Sequence, residues 1–129
     1  MEIITEKLEK EERLNELLKA QEQKTYELKQ KINESFAEIT QLAKENDPQF
    51  LSRFQEVYPE FVSKLLMKNP DLKNTELNLC AYIYMDFSSK EIADYTFKSL
   101  KTIQNRKNIL RKRLDIASSI DLNVWMMNV

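Results

Sequence analysis

Apolar positions are sparse and regularly spaced over the first 45 residues. Ile4, Leu8, Leu14, Leu18, Leu28, Ile32, Phe36 and Ile39 stand among 11 acidic and 8 basic residues, and positions 2–45 contain no Pro. From Leu14 the spacing alternates four and three through Leu18, Gln21, Thr25, Leu28 and Ile32, which is a coiled-coil seam with two polar layers in its middle. The repeat slips between Leu8 and Leu14 and again near Phe36. A stripe this narrow cannot bury itself. Residues 1–45 are therefore predicted to form a long coiled-coil helix that makes a homodimer through Leu14, Leu18, Leu28 and Ile32. The alternative is a lone amphipathic helix folded back on the rest of the chain.

The pattern changes at Asn46-Asp47-Pro48, where Asp47 is expected to cap a new helix and Pro48 to sit in its first turn. Phe50, Phe54 and Val57 recur at helical spacing. Pro59 restarts a helix bearing Phe61, Leu65 and Leu66, and Asn69-Pro70-Asp71 ends it. Residues 46–70 thus read as a helical connector whose aromatic stripe is core. In residues 71–129, Leu72, Glu76, Leu79 and Ile83 share one helical face, which Asp86 and Phe87 interrupt. Ser88 and Glu91 then stand at capping-box spacing before a short helix containing Ile92 and Ala93, and Ser99 is a second N-cap before Thr102 and Ile103. Two short helices joined by a tight turn, the second one basic, describe a helix-turn-helix. In the last stretch, "ASSIDLNVWMMNV", Ile120, Val124 and Met127 fall on one face. Trp125 is expected to anchor the core there, with an intersubunit contact as its alternative role.

Composition narrows the class. A chain of 129 residues with no Gly and only three Pro, rich in Glu, Lys, Leu and Gln, is predicted to be all-α, with room for one modest domain plus an extended element. The longest apolar run is the seven residues from Leu79 to Met85 and the start "MEIITEKLEKEE" is acidic, so a cytoplasmic protein without membrane contact is expected. The chain has no His and no Gly-rich phosphate loop. Its single Cys80, on an apolar helical face, reads as a small buried hydrophobe. Carboxylates such as Glu6, Glu9 and Glu27 stand three or four residues from Lys or Arg, as on solvated helix faces. No enzyme activity, metal or cofactor is expected.

Charge is distributed unevenly. Lys98 to Arg113 contain seven Lys or Arg and no Asp or Glu, although the net charge of the chain is only -1. At about 100° per residue, Ile103, Leu110 and Leu114 cluster on one side of this helix, while Lys101, Gln104, Asn105, Asn108 and Lys112 point the opposite way. Cations neutralise phosphates, and Asn or Gln amides can pair with adenine in the major groove, so double-stranded DNA is the expected partner. Lys90, Lys101, Thr102, Lys107, Arg111 and Arg113 flank that face or lie at helix starts, and are expected to contact phosphates.

The pattern of Leu72, Glu76 and Leu79, then Ser88, Lys90, Glu91, Ile92 and Ala93, then Ser99, Thr102, Ile103, Leu110, Arg113 and Leu114 resembles the LuxR/GerE-type helix-turn-helix of bacterial transcription regulators. With the preceding coiled coil and connector, it looks closest to the output region of Bacteroidetes-type tetratricopeptide-repeat sensor regulators. The resemblance implies a four-helix DNA-binding module in which Gln104, Asn105 and Asn108 touch base edges, and whose fourth helix packs on the others and helps to dimerise. Asp86 and Asp115 stand where the family has glycine, and Asp tolerates left-handed backbone better than most residues. Thr96 and Lys98 occupy positions that are usually aliphatic, leaving Tyr95 and Phe97 to supply the apolar contact. Arg106 stands where a histidine is common. The function expected is that of a dimeric, sequence-specific transcription regulator, or its cytoplasmic output part, with a recognition helix over about 99–114 in the major groove. The alternative is a coiled-coil adaptor whose helix-turn-helix binds a protein such as a polymerase or sigma subunit.

Overall fold

The computed structural model describes residues 2–129, with side chains from residue 5 onward, so Met1 and the Ile4 side chain of the expected dimerisation helix lie outside it. The described residues form seven helices and no strand: α1 (Glu2–Lys44), α2 (Phe50–Val57), α3 (Pro59–Lys68), α4 (Asn74–Tyr84), α5 (Ser89–Thr96), α6 (Leu100–Arg113) and α7 (Leu122–Met127). The all-α expectation holds. Contacts divide the chain into two units, one ending at Ala37 and the other running from Glu38 to Val129.

In the first unit, every residue from Thr5 to Glu34 is exposed. The Leu14, Leu18, Leu28 and Ile32 side chains are 48–60% exposed. Local bonds support the helix. The Gln23 amide donates to Glu27 at 3.2 Å, the Gln30 amide to the Tyr26 hydroxyl at 3.1 Å, and the Thr25 hydroxyl to the Gln21 carbonyl at 2.9 Å. Such pairs contribute only about 0.2–0.5 kcal/mol each.

The second unit has a continuous core that includes the end of α1. Ile39 and Ala43 are fully buried, and the connector helices α2 and α3 bury Phe50, Phe54, Phe61, Val62 and Leu65 in the same cluster. At its centre lies α4, which buries Leu77, Leu79, Cys80, Ala81, Tyr82 and Ile83 because it packs on α2, α6 and α7. Aromatic rings interlock around it. Phe50 meets Tyr82 at 4.7 Å, and Phe54 stands edge-on to Phe61 at 5.4 Å and to Tyr84 at 5.7 Å. Two polar ties hold the last turns of α1. The buried Tyr82 hydroxyl donates to the Ala43 carbonyl at 2.7 Å, and Arg53 on α2 forks onto both oxygens of Glu38 at 3.0 and 3.1 Å.

Without glycine, the helices stop on other residues. α1, α4 and α6 are each followed by a residue in the left-handed region, Asn46 (φ 52°), Asp86 (φ 64°) and Asp115 (φ 54°) respectively. The next amide in each case reaches back five residues, from Asp47 to Leu42, Phe87 to Tyr82 and Ile116 to Arg111, at 3.0, 3.3 and 2.8 Å. The two aspartates thus take up the geometry expected of them. The fourth case is Phe97 (φ 57°), which ends α5 while the Lys98 amide bonds the Ala93 carbonyl at 3.0 Å. A bulky side chain in this region is strained by roughly 1–2 kcal/mol.

One local expectation is corrected and another is met in part. Pro48 precedes α2 instead of opening it. Asp47 accepts from the Gln49 amide at 2.8 Å, and the helix begins at Phe50 after one turn. Trp125 packs against the core but is only half-buried, lying under the Lys68 ammonium at 5.4 Å, while Leu122 and Met126 are the buried residues of α7. Pro59, by contrast, opens α3 as expected.

Candidate functional site

The α5–turn–α6 segment is built from two side-chain caps. Ser88 Oγ accepts from the Glu91 amide at 3.1 Å while the Glu91 carboxylate accepts from the Ser88 amide at 3.0 Å, a complete capping box. These bonds from the Ser88 backbone and hydroxyl hold the Glu91 carboxyl below its ordinary range. Ser99 Oγ then accepts from the Thr102 amide at 3.1 Å and starts α6. Ile92 and Ala93 on α5 and Ile103, Leu110 and Leu114 on or beside α6 are buried, so the apolar edges of the two helices meet in the core.

The opposite face of α6 is solvent-facing. Lys101, Gln104, Asn105, Asn108 and Lys112 are all exposed, and Lys90 is exposed near the start of α5. The stretch from Lys98 to Arg113 itself carries no carboxylate. The arrangement offers amides that can donate and accept in one plane, flanked by ammonium groups, to an anionic ligand with a polar edge.

The residues expected to share a phosphate-binding role separate into two groups. Lys90 and Lys101 stand in solvent, whereas Lys107, Arg111 and Arg113 are half-buried, the two arginines bonded to their own chain. Burial, followed by the nearby Arg111 charge, lowers the Lys107 ammonium from its ordinary value, against a smaller opposing effect of Asp121. Arg111 donates to the Ala117 and Ile120 carbonyls at 3.2 and 2.7 Å and holds the loop before α7. Arg113 donates to the Asp71 carbonyl at 2.7 Å and pairs with the Glu76 carboxylate at 2.5 Å, a charge contact without an aligned N–H. Asn69 closes the same latch, its amide donating to the Arg113 carbonyl at 2.9 Å. Thr102 is half-buried, with its hydroxyl 2.8 Å from Ser99 Oγ. Arg111, Arg113, Asn69 and Thr102 position α6.

A signal for the split was present in the chain. At about 100° per residue Lys107 lies only about 40° from Ile103, well inside the buried sector, whereas Lys112, omitted from the expected phosphate set, lies about 180° away. The Arg113 latch had no such signal, since Asn69 and Asp71 are more than 40 positions distant along the chain.

The turn itself corrects a further expectation. Tyr95 supplies apolar contact, its ring edge-on to the buried Phe87 at 5.5 Å, but Phe97 does not, being 85% exposed. Elsewhere Cys80 is fully buried and its thiol is pushed up to about 12 by burial, which fits a packing role. Among the described residues no group of three His, Cys, Asp or Glu is placed to hold a metal ion, and no helix is long and apolar enough to cross a membrane. No family model matches the sequence, no curated protein is significantly similar to it, and no solved structure matches its fold.

Proposed function

We propose that the chain is a sequence-specific DNA-binding transcription regulator, or the output region of one. In this reading α4–α7 form a LuxR/GerE-type helix-turn-helix module, and α6 enters the major groove with Gln104, Asn105 and Asn108 at base edges. The observation that carries the proposal is the two-sided character of α6. Its buried edge is apolar, its exposed face combines amides with lysines, and no carboxylate lies between Lys98 and Arg113. Lys90, Lys101 and Lys112 contact phosphates, while Arg111 and Arg113 hold the helix in place and Lys107 is half-buried beside them. Thr102 stays at the cap with Ser99.

Homodimerisation through the α1 seam completes the reading by pairing two recognition helices on two half-sites. Four large apolar side chains standing in solvent at heptad spacing support it. So does the Thr25 hydroxyl, whose bond to the Gln21 carbonyl lets that polar layer present a methyl group to a partner helix.

The test is binding to mixed genomic duplexes over a range of salt. Affinity should fall with a log-log slope of about -0.9 per phosphate neutralised, and Lys101→Ala should flatten it by about one contact on every sequence. Asn105→Ala should relax preference at one base pair per half-site by about 1–3 kcal/mol. Salt-insensitive binding to a protein partner would support the adaptor reading instead, and no binding to any duplex would remove the proposal.

A further inference from the structure

Of the four residues with positive φ, three are Asn or Asp, whose short side chains tolerate the left-handed region. The fourth is Phe97, at φ 57° and ψ 39°. Its ring is 85% exposed, so no burial in its own chain offsets the strain. Asn46, Asp86 and Asp115 end helices in this same protein with no ring at all. Strained positions of this kind cluster at functional sites, which makes Phe97 a candidate.

The place is specific. Phe97 lies two residues before Ser99 caps α6, and Lys98, Leu100 and Lys101 beside it are all exposed. When a helix pair docks on a duplex, the first residues of the second helix meet base edges and the first helix crosses the backbone, so the turn between them falls beside the sugar–phosphate strand. That strand presents an apolar deoxyribose face between phosphates. An exposed aromatic ring followed in the chain by two exposed lysines matches it.

We infer that Phe97 is a DNA-binding residue whose ring packs on the deoxyribose edge of the strand flanking the groove, while Lys98 and Lys101 take the adjoining phosphates. This rests on the DNA reading above and adds to it an apolar, sequence-independent contact. Because the contact carries no charge, it contributes to affinity without changing the number of ions released.

The experiment compares the full chain with Phe97→Asn and Phe97→Tyr, measuring affinity by fluorescence anisotropy for a preferred and a random duplex at several salt concentrations, together with thermal melting. Phe97→Asn should raise the melting temperature by roughly 4–8 °C through relief of the backbone. It should also weaken binding to both duplexes by the same factor, roughly tenfold, with an unchanged salt slope. Phe97→Tyr should bind as the unmutated chain does. If the unmutated chain binds with the expected salt dependence and Phe97→Asn binds equally well, the inference is overturned and the DNA reading stands. Loss confined to the preferred duplex would place the ring on a base and overturn the sugar contact. Should the unmutated chain bind neither duplex, both ideas fall together.

Discussion

Residues 2–37 and residues from Glu38 onward are both largely helical, yet they use apolar side chains in opposite ways. Ile32 is 60% exposed, whereas Ile39, seven positions later on the same helix, is fully buried. Periodicity places an apolar stripe on a helix, but whether that stripe stabilises the chain depends on what covers it. From Glu38 onward the cover is the chain's own α2–α4; over Leu14 to Ile32 it is solvent, or the second copy proposed above. One region buries its apolar side chains within the chain, and the other leaves them exposed.

The sharpest way to break this contrast is to truncate one side chain in each region. Phe54→Ala removes a fully buried ring that touches Phe50, Phe61 and Tyr84, and should destabilise the 38–129 unit by about 3–5 kcal/mol in denaturant unfolding. Leu28→Asp should leave that transition where it is, while converting the proposed dimer to monomer in a sedimentation run. If Leu28→Asp lowers the melting of the 38–129 unit as Phe54→Ala does, the division between the regions is wrong.

A smaller effect probes the junction of α1 with the core. Burial pushes the Tyr82 hydroxyl up to about 12 from an ordinary 10.0, so the protonated form is the one the fold favours. Its contribution is fully present below pH 10 and is lost as pH rises from there through 12. Tyr82→Phe removes the bond to Ala43 and should cost about 1 kcal/mol at neutral pH. It should also flatten the loss of stability measured by unfolding between pH 10 and 12.

The smallest expected effect lies at the exposed cap of α5. Glu91 is held below its ordinary 4.5 by the Ser88 amide and hydroxyl, so its contribution is present above that pH and disappears as pH falls below it. Glu91→Gln should make unfolding of the 38–129 unit less sensitive to acid, with little change at pH 7. An identical acid limb in the two proteins would show that the carboxylate bonds do not matter in solution.

Much of the candidate site was legible in the order of residues because its determinants are local. Ser88 with Glu91, and Ser99 with Thr102, need only three residues to form their caps, and Ile103, Leu110 and Leu114 need only the helical repeat to share a side. The aspartates at 86 and 115 stand where a helix has to turn left without glycine. The cations were harder to read. Seven of them in one run suggested one task, and packing divided them, because Arg111 and Arg113 find carbonyls and a carboxylate before they find solvent and Lys107 is half-buried beside Ile103.

Element type, helix starts and stops, and the sidedness of α6 follow from backbone sterics, capping and a period of 3.6, all of which act within one or two turns. The latch of Asn69, Asp71 and Glu76 on the end of α6, the Tyr82 bond to Ala43, and the exposure of Phe97 depend on which distant elements meet. Those meetings are selected by how several apolar surfaces fit together at once, and spacing along the chain does not encode that fit position by position.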